Sequence, residues 1–384
     1  MLRLRSPTDG APPQAERSAL RALRGAGFCS NEAMAPKSFM TTPKAHPGDR
    51  VAVISPAFAA PAVSLALHEQ AMRRLTEATG LIPVEYPTTR QLGASAAARA
   101  ADVTEAFADP SIRAVLATIG GDDQVTVIRH IDAAVLAANP KPFLGYSDNT
   151  NLHNLLWNLG VPSFYGGSTQ VHLGPGPHLD DIHLRSLRAA LLDGGTLELT
   201  EPGESEDFGQ PWDNPRSLTE FGTREATEPW TWAGPEKAVS GRSWGGCIEV
   251  IDQIAIAGRM PENADLDGAI LMLETSEETP SADEVKRWVR ALGERGALSA
   301  VAGVLVARPP VSELHSPVRP APERARLREA QRDTIIEQIA RYNPHAVICV
   351  GVPFGHTRPQ WIVPHGGTIA LDGARRIVTA DYER

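Results

Sequence analysis

The chain is 384 residues long, 42% of its residues are hydrophobic, and its formal net charge is −9. This length predicts two domains, and the apolar content is sufficient for folded cores. Acidic and basic residues are mixed without a basic stripe, which argues against a nucleic-acid surface. The sequence contains no run of about 18 apolar residues, so we expect no membrane span. The three cysteines are far apart and form no C-x-x-C pair, which predicts neither a zinc site nor a disulfide framework and fits a reducing, cytoplasmic location.

The first 43 residues differ in composition from the rest of the chain. Arginines are scattered there among alanine, proline and serine, and no apolar core is long enough for a secretory signal. We expect residues 1–43 to be a disordered tail or the product of an upstream start codon, with Met34 or Met40 as the true first residue. A transit peptide is the less favoured interpretation.

Residues 44–170 alternate short apolar runs with segments of helical periodicity. Strands are predicted at 51–54, 81–86 and 114–119, and helices at 63–79 and 96–107. The continuous apolar runs are typical of parallel strands that are buried on both faces. The alternation predicts a doubly wound α/β domain, in which ligands bind at the C-terminal ends of the strands.

The first of the two informative strand ends carries a glycine pair. Ile119 is followed by Gly120-Gly-Asp-Asp-Gln124. Paired glycines leave their N–H groups unobstructed, which suits an oxyanion site, and a plain tight turn explains them equally well. We do not favour a metal site at Asp122 and Asp123, because no histidine or carboxylate partner stands at a suitable spacing.

The second strand end carries a serine. Phe143 and Leu144 lead into Gly145-Tyr-Ser147-Asp148, after which leucines recur at helical spacing. A serine between a strand and a helix has its hydroxyl raised from the sheet beside free N–H groups, as in a nucleophile elbow. Position 149 is Asn, however, where the hydrolase pattern G-x-S-x-G has glycine. The alternative is that Ser147 caps the helix.

The sequence predicts that residues 171–237 form a long connecting segment. A helix is expected over 180–192, and residues 202–235 are rich in Gly, Pro, Glu and Trp without a clear period. Trp212, Trp230 and Trp232 either cover a domain seam or stack on a flat ligand. A stretch of this length without regular structure is commonly a binding element or a lid.

The sequence predicts that residues 238–384 form a second α/β domain. The pattern indicates a Gly-Gly turn before a helix ending at 256, strands at 268–273, 301–307 and 346–350, and helices at 281–292 and 324–342. Glu274 and His356 each follow an apolar strand, as Ser147 does. Each alone is explained as a turn or surface residue, but in combination they suit a nucleophile, an orienting acid and a general base.

Six short motifs carry a resemblance to a known family. They are, in order, Gly120-Gly-Asp-Asp, Lys141-Pro-Phe-Leu-Gly-Tyr-Ser-Asp, Phe164-Tyr-Gly, Gly245-Gly, Leu271-Met-Leu-Glu-Thr and Gly351-Val-Pro-Phe-Gly-His. In this order they resemble the LD-carboxypeptidase family of serine peptidases, and the resemblance covers residues 44–384.

The resemblance implies a flavodoxin-like or glutamine-amidotransferase-like N-terminal domain, a smaller α/β C-terminal domain, and an active site between them. Ser147 matches the nucleophile, Glu274 the acid and His356 the base of a catalytic triad. The N–H groups of Gly121 and Asp148 match the oxyanion donors. Enzymes of this family use no metal or organic cofactor and often form homodimers. His365, in Val363-Pro-His-Gly-Gly, is the second candidate for the base.

Two departures from the family pattern bear on the substrate. Thr275 replaces the family's Asp after the acid, and the connecting segment, with its tryptophans, resembles that of the microcin C immunity branch. The resemblance therefore implies hydrolysis of an L,D-peptide bond in cell-wall tetrapeptides or of an aminoacyl-nucleotide linkage. The candidate substrate-binding residues are Asp122, Trp212, Trp230 and Trp232. The alternative from another class is a non-catalytic ligand-binding module on an amidotransferase-like scaffold.

Overall fold

The structure is a computed structural model that describes residues 37–383. Most of the predicted tail over 1–43, including Cys29 and the alternative start at Met34, lies outside the described residues. Within the described part, the N–H of Met40 donates to the carbonyl of Gly160 at 2.8 Å. The ring of Phe39 packs edge-on against Trp157, with 5.4 Å between the ring centroids. The chain therefore packs onto the fold before residue 44.

Helices and strands alternate along most of the chain. The helices are α1 (Leu65–Thr79), α2 (Ala96–Ala108), α3 (Ala133–Ala138), α4 (Thr150–Asn158), α5 (Asp181–Arg188), α6 (Ile248–Ile256), α7 (Ala282–Glu294), α8 (Ala297–Ala300) and α9 (Ala321–Tyr342). The first eight strands are β1 (Arg50–Ile54), β2 (Ile82–Glu85), β3 (Ile112–Ala117), β4 (Phe143–Gly145), β5 (Ser163–Tyr165), β6 (Thr196–Leu199), β7 (Glu204–Ser205) and β8 (Glu225–Ala226). The remaining strands are β9 (Thr231–Ala233), β10 (Ala238–Cys247), β11 (Ile270–Glu274), β12 (Gly303–Ala307), β13 (Val347–Val352), β14 (Val363–His365), β15 (Thr368–Asp372) and β16 (Ile377–Asp381).

The first sheet has six strands in the order β14-β5-β4-β3-β1-β2. Strands β1 to β5 are parallel, and β14 pairs with β5 in the antiparallel direction. The order 2-1-3-4-5 is that of the flavodoxin-like doubly wound fold, so the predicted class of the N-terminal domain is confirmed. The glycine loop after β3 and the serine after β4 therefore lie at the same edge of the sheet.

The second sheet has eight strands in the order β6-β16-β15-β10-β11-β12-β13-β9. Its centre, β10 to β13, is parallel, and antiparallel strands flank it on both sides. Strands β6 and β9 come from the predicted connecting segment over 171–237, so this segment is partly built into the sheet. Short strands of this kind carry too few residues for a visible period.

The glycine pair at 245 and 246 lies inside β10 and does not form the predicted turn. Both residues have positive φ angles, 136° and 132°. A Cβ atom at position 245 would lie 1.9 Å from the carbonyl oxygen of Met272 on the neighbouring strand. Glycine is needed here because the strands approach each other closely, which is the second common role of paired glycines.

One apolar cluster joins the two sheets. It contains buried side chains of β1 and β4 together with side chains of β11 and β13, for example Val51, Leu144, Met272 and Val347. Helix α7 begins with a capping box, since the side chains of Ser281 and Glu284 each accept from the other's backbone N–H. Among the described residues, the structure contains no helix with both the length and the hydropathy needed to cross a membrane.

Candidate active site

Ser147 stands in a strained turn between β4 and α4. Its φ angle is 63°, in the left-handed region that non-glycine residues seldom adopt, at a cost of about 1–3 kcal/mol. The residue at the N-cap position of α4 is Asn149, and the helix start carries no side-chain capping hydrogen bond. Ser147 is therefore not the helix cap. It lines a cavity of about 740 Å³.

Asn149 explains how the turn forms without the glycine of the hydrolase pattern. Its Nδ2 group donates to the carbonyls of Ile119 and Tyr146, both at 3.0 Å. Its Oδ1 atom accepts from Nε2 of Gln124 at 2.9 Å, and the N–H of Gln124 donates to the Asp148 carboxyl at 2.9 Å. The amide side chain thus ties the serine turn to the loop after β3. Burial raises the pKa of Asp148 to about 6.

The glycine loop after β3 lies directly against the serine. A Cβ atom at Gly120 would lie 2.6 Å from Cβ of Ser147, 2.8 Å from its Oγ atom and 3.1 Å from the N atom of Asp148. A Cβ atom at Gly121 would lie 3.4 Å from Oδ2 of Asp148. The two residues predicted as oxyanion donors, Gly121 and Asp148, are therefore neighbours, and the position of Gly120 tolerates no side chain.

The acidic pair that follows these glycines does not line the cavity beside the serine. Asp122 is exposed and does not line the cavity. Asp123 accepts two hydrogen bonds from the guanidinium of Arg99, both at 2.7 Å, so its role is to anchor the loop. Within residues 37–383, no three His, Cys, Asp or Glu side chains are grouped so as to hold a metal ion.

Glu274 and His356 meet, although 82 residues separate them in the chain. Glu274 ends β11 and is buried, and Nδ1 of His356, in the loop after β13, lies 2.6 Å from Oε2 of Glu274. A Cβ atom at Gly355 would lie 2.7 Å from the same oxygen. Glycine at this position therefore allows the histidine loop to approach the carboxylate.

Tyr165 links this pair to the serine turn. Its hydroxyl donates to Oε1 of Glu274 at 2.6 Å and accepts from the N–H of Ser147 at 3.1 Å. The ring is buried, and it packs edge-on against Tyr146 and Phe354. The sequence contains this residue in the motif Phe164-Tyr-Gly, but no local pattern assigns a function to its hydroxyl.

The other imidazole nitrogen of His356 contacts a second carboxylate. Nε2 lies 3.1 Å from Oε2 of Glu277, which stands on the turn after β11. Burial by itself lowers the pKa of His356, but the charges of Glu274 and Glu277 outweigh it and hold the pKa well above its ordinary value. The two carboxylates thus favour the cationic form of the imidazole, and Nε2 contacts Glu277, which lines the same cavity as Ser147.

A further buried carboxylate fixes the loop that carries Glu277. Oε1 of Glu249 accepts from both the N–H and the hydroxyl of Ser276, each at 2.8 Å. Burial, together with the nearby charge of Glu274, raises the pKa of Glu249. Thr275, which follows Glu274, is buried, and its Oγ1 atom has no hydrogen-bond partner among the described residues.

His365 belongs to the core of the first sheet. It lies in β14 opposite Ser163, is fully buried, and its ring centroid is 5.1 Å from that of His153. Burial lowers its pKa well below the ordinary value of histidine. His365 does not line the cavity beside Ser147, whereas His356 does.

The predicted tryptophans divide between two locations. Trp212 lines the cavity together with Phe58 and Arg358. Trp230 and Trp232 pack against the apolar cluster that joins the sheets, and Trp232 is paired with Cys349 between β9 and β13. These two tryptophans therefore pack at the edge of the second sheet and do not line the cavity.

The fold and the site together define a class of α/β proteins. This chain carries a serine on a strained strand-to-helix turn of a flavodoxin-like sheet, and a carboxylate–histidine pair from a second sheet whose histidine lines the same cavity. Residues 51–166 match the N-terminal domain of LD-carboxypeptidases, and residues 240–371 match the C-terminal domain. The chain belongs to the LD-carboxypeptidase family, whose members are peptidases and therefore hydrolyse amide bonds.

Several relatives resemble the chain over most of its length. A putative carboxypeptidase of Vibrio cholerae is 27% identical, over 85% of this chain and 93% of the relative. A probable murein peptide carboxypeptidase of Bacillus subtilis is 28% identical, over 72% of this chain and 74% of the relative. The microcin C7 self-immunity protein MccF of Escherichia coli is 25% identical, over 71% of this chain and 75% of the relative.

Solved structures share the same fold. MccF in complex with aspartyl sulfamoyl adenosine superposes with a TM-score of 0.76 at 21% identity, over 90% of this chain and 100% of the other. An MccF-like protein from Bacillus anthracis gives a TM-score of 0.76 at 24% identity, over 89% of this chain and 99% of the other. The arrangement of the two sheets is therefore that of these proteins.

Proposed function

We propose that the chain is a serine-type amide hydrolase with Ser147 as nucleophile, His356 as general base and Glu274 as the orienting acid. The observation that carries the proposal is the 2.6 Å contact between Glu274 and Nδ1 of His356, at the cavity that Ser147 lines. The strained φ angle of Ser147 supports it, because unfavourable backbone geometry persists where function requires it.

In the mechanism, His356 accepts the hydroxyl proton of Ser147 as Oγ attacks the carbonyl carbon of the scissile amide. The N–H groups of Gly121 and Asp148 stabilise the oxyanion, and loss of one such donor typically costs about 3 kcal/mol of barrier. The imidazolium then protonates the leaving amine, and the C–N bond breaks. Water, deprotonated by His356, hydrolyses the acyl-enzyme and restores the serine. Glu274 keeps the proton on Nδ1 and stabilises the imidazolium.

Two substrate classes fit the proposal. One is the L,D-peptide bond of cell-wall tetrapeptides, since a relative is named a murein peptide carboxypeptidase. The other is an aminoacyl-nucleotide linkage, since MccF structures contain aspartyl sulfamoyl adenosine and glutamyl sulfamoyl guanosine. Trp212 and Phe58 on the cavity wall favour the second class, because aromatic rings stack on a nucleobase.

Ser147→Ala provides the test. The purified wild type and variant are given a murein tetrapeptide and an aminoacyl-nucleotide conjugate, and release of D-alanine or of the amino acid is measured. We expect the variant to lose activity by at least about 1,000-fold, in line with removal of a triad nucleophile. Ser299→Ala, at an exposed position on α8, is the matched control. Activity that survives intact in Ser147→Ala would refute the assignment.

A serine-directed fluorophosphonate probe separates this proposal from the alternative of a non-catalytic binding module. Labelling at Ser147, abolished in Ser147→Ala, supports the hydrolase. Tight binding of both substrates by the wild type without any turnover supports the binding module. The homodimer implied by the family resemblance and the cytoplasmic location stay predictions, which sedimentation and cell fractionation measure directly.

A further inference from the structure

The inference begins with the contact between Glu277 and the proposed general base. Oε2 of Glu277 lies 3.1 Å from Nε2 of His356, while Nδ1 of the same ring contacts Glu274. Because Nδ1 is engaged by the orienting acid, Nε2 is the nitrogen that must take the proton of Ser147. Glu277 therefore occupies the working face of the imidazole and has to leave it before acylation.

Glu277 is placed to make this exchange with a ligand. Its side chain is 70% exposed, whereas Glu274 on the other side of the ring is fully buried. It lines the same cavity as Ser147 and His356. Within residues 37–383, no lysine or arginine lies within ion-pair distance of its carboxylate, and His356 is its one cationic partner. The exposed carboxylate is therefore accessible to a ligand that enters the cavity.

The charges around the cavity favour a cationic ligand. Asp213, Glu278 and Glu313 also line it, and none of them forms an ion pair with a lysine or arginine of the described chain. The guanidinium of Arg358 is the one arginine of the wall, and it is buried against the carboxylates of Asp180 and Glu206. A concave surface with an excess of one charge concentrates ligands of the opposite charge.

We propose that Glu277 binds a positively charged amine of the substrate next to the scissile amide. The inference rests on the proposed hydrolase function and narrows its substrate class to peptides or aminoacyl conjugates that carry a free amine near the reacting carbonyl. When the ammonium group binds, Glu277 exchanges His356 for the ligand. The imidazole, which Glu277 then no longer holds in its cationic form, releases the Nε2 proton to solvent, and Nε2 becomes available to accept the proton of Ser147. Recognition of the amine and release of the base are then the same event.

The test compares substrates that differ only in the amine. One pair is the tetrapeptide L-Ala-γ-D-Glu-L-Lys-D-Ala with a free or an acetylated lysine side chain. The second pair is an aminoacyl-nucleotide conjugate with a free or an acetylated α-amine. For the wild type we expect kcat/KM to be at least about tenfold higher for the free amine in one of these pairs, which corresponds to about 1.4 kcal/mol.

Glu277→Gln should reduce this preference to about twofold or less, by slowing the free amine and leaving the acetylated substrate equal or faster. The size of the side chain is retained, so the change isolates the charge. Glu337→Gln, an equal change of charge at an exposed position on α9 outside the cavity, should retain the full preference. Methylammonium can be added to the wild type at concentrations of the acetylated substrate below KM. Faster turnover of this slow substrate would further support a receptor for amines.

Three outcomes overturn the inference while the hydrolase function stands. They are equal turnover of both members of each pair by the wild type, an equal loss on both members in Glu277→Gln, and the same loss of preference in Glu278→Gln as in Glu277→Gln. The last result would assign selectivity to the general charge of the wall. Failure of the proposed function looks different, because the wild type would then cleave none of the substrates and Ser147 would not react with the fluorophosphonate.

Discussion

Replacing Tyr165 by Phe removes one oxygen atom from the centre of the site and keeps the buried ring. The lost hydroxyl donates to Glu274 at 2.6 Å and accepts the N–H of Ser147 at 3.1 Å. A hydrogen bond to a charged group contributes about 1.5–3 kcal/mol, and a buried N–H left without a partner costs about 1–3 kcal/mol. Glu274 would lose one of the two contacts that orient it, and the strained turn at Ser147 would lose its support.

If the hydrogen bond to Glu274 is fully used in the transition state, its loss should lower kcat by about 10- to 150-fold. KM should change little, since Tyr165 does not line the cavity. The assay is single-turnover acylation, with thermal unfolding measured in parallel.

The matched control is Tyr382→Phe, which removes a buried hydroxyl that donates to the carbonyl of Ile362 at 2.5 Å. Both variants should unfold at a lower temperature, because each loses a buried hydrogen bond. Only Tyr165→Phe should lose activity. A Tyr165→Phe enzyme with the kcat of the wild type would refute the idea that this hydroxyl positions the acid and the nucleophile.

Three further predictions concern His356 and the carboxylates that contact it. The ascending limb of kcat/KM against pH should lie above the ordinary histidine pKa of about 6.5, because the base must be neutral and its two carboxylate neighbours raise the pKa of His356. Glu277→Gln removes one of those charges and should move the limb to lower pH, and an unmoved limb would contradict this account. Glu274→Gln keeps the shape of the acid but not its charge, and kcat should fall by about 10,000-fold, as measured by single-turnover kinetics. In Gly355→Ala the new Cβ atom would lie 2.7 Å from Oε2 of Glu274, so kcat should fall with little change in KM, and full activity would show that the loop can move without cost.

Ser147 and Glu277 differ in how much of their role can be predicted from the neighbouring sequence. Ser147 follows a short apolar strand and precedes a helical repeat, so its place in a turn is predictable from residues within about ten positions. Glu277 stands in an acidic stretch at the end of β11, Glu274-Thr-Ser-Glu-Glu, whose composition predicts only an exposed turn. Its contact with His356 arises only because β11 and β13 end at the same edge of one sheet.

The roles of several other residues could be assigned only from the tertiary structure. Strand β14 pairs with β5 across about two hundred positions of chain, and its His365 becomes a core residue instead of a base. The glycines at 245 and 246 resemble a turn, but they allow β10 to approach β11. Trp230 and Trp232 lie in the same Gly-, Pro- and Glu-rich stretch as Trp212, yet only Trp212 lines the cavity.

The sequence by itself determined the fold class and the family. Strands buried on both faces must be continuously apolar, and the reactive residues of such a sheet lie at the strand ends. Both features can therefore be recognised in short stretches of sequence. The tertiary structure alone decided which of those end residues meet. Contacts such as that of Tyr165 with Glu274, 109 residues apart, depend on the packing of two sheets against each other, and no periodicity within either segment encodes that packing.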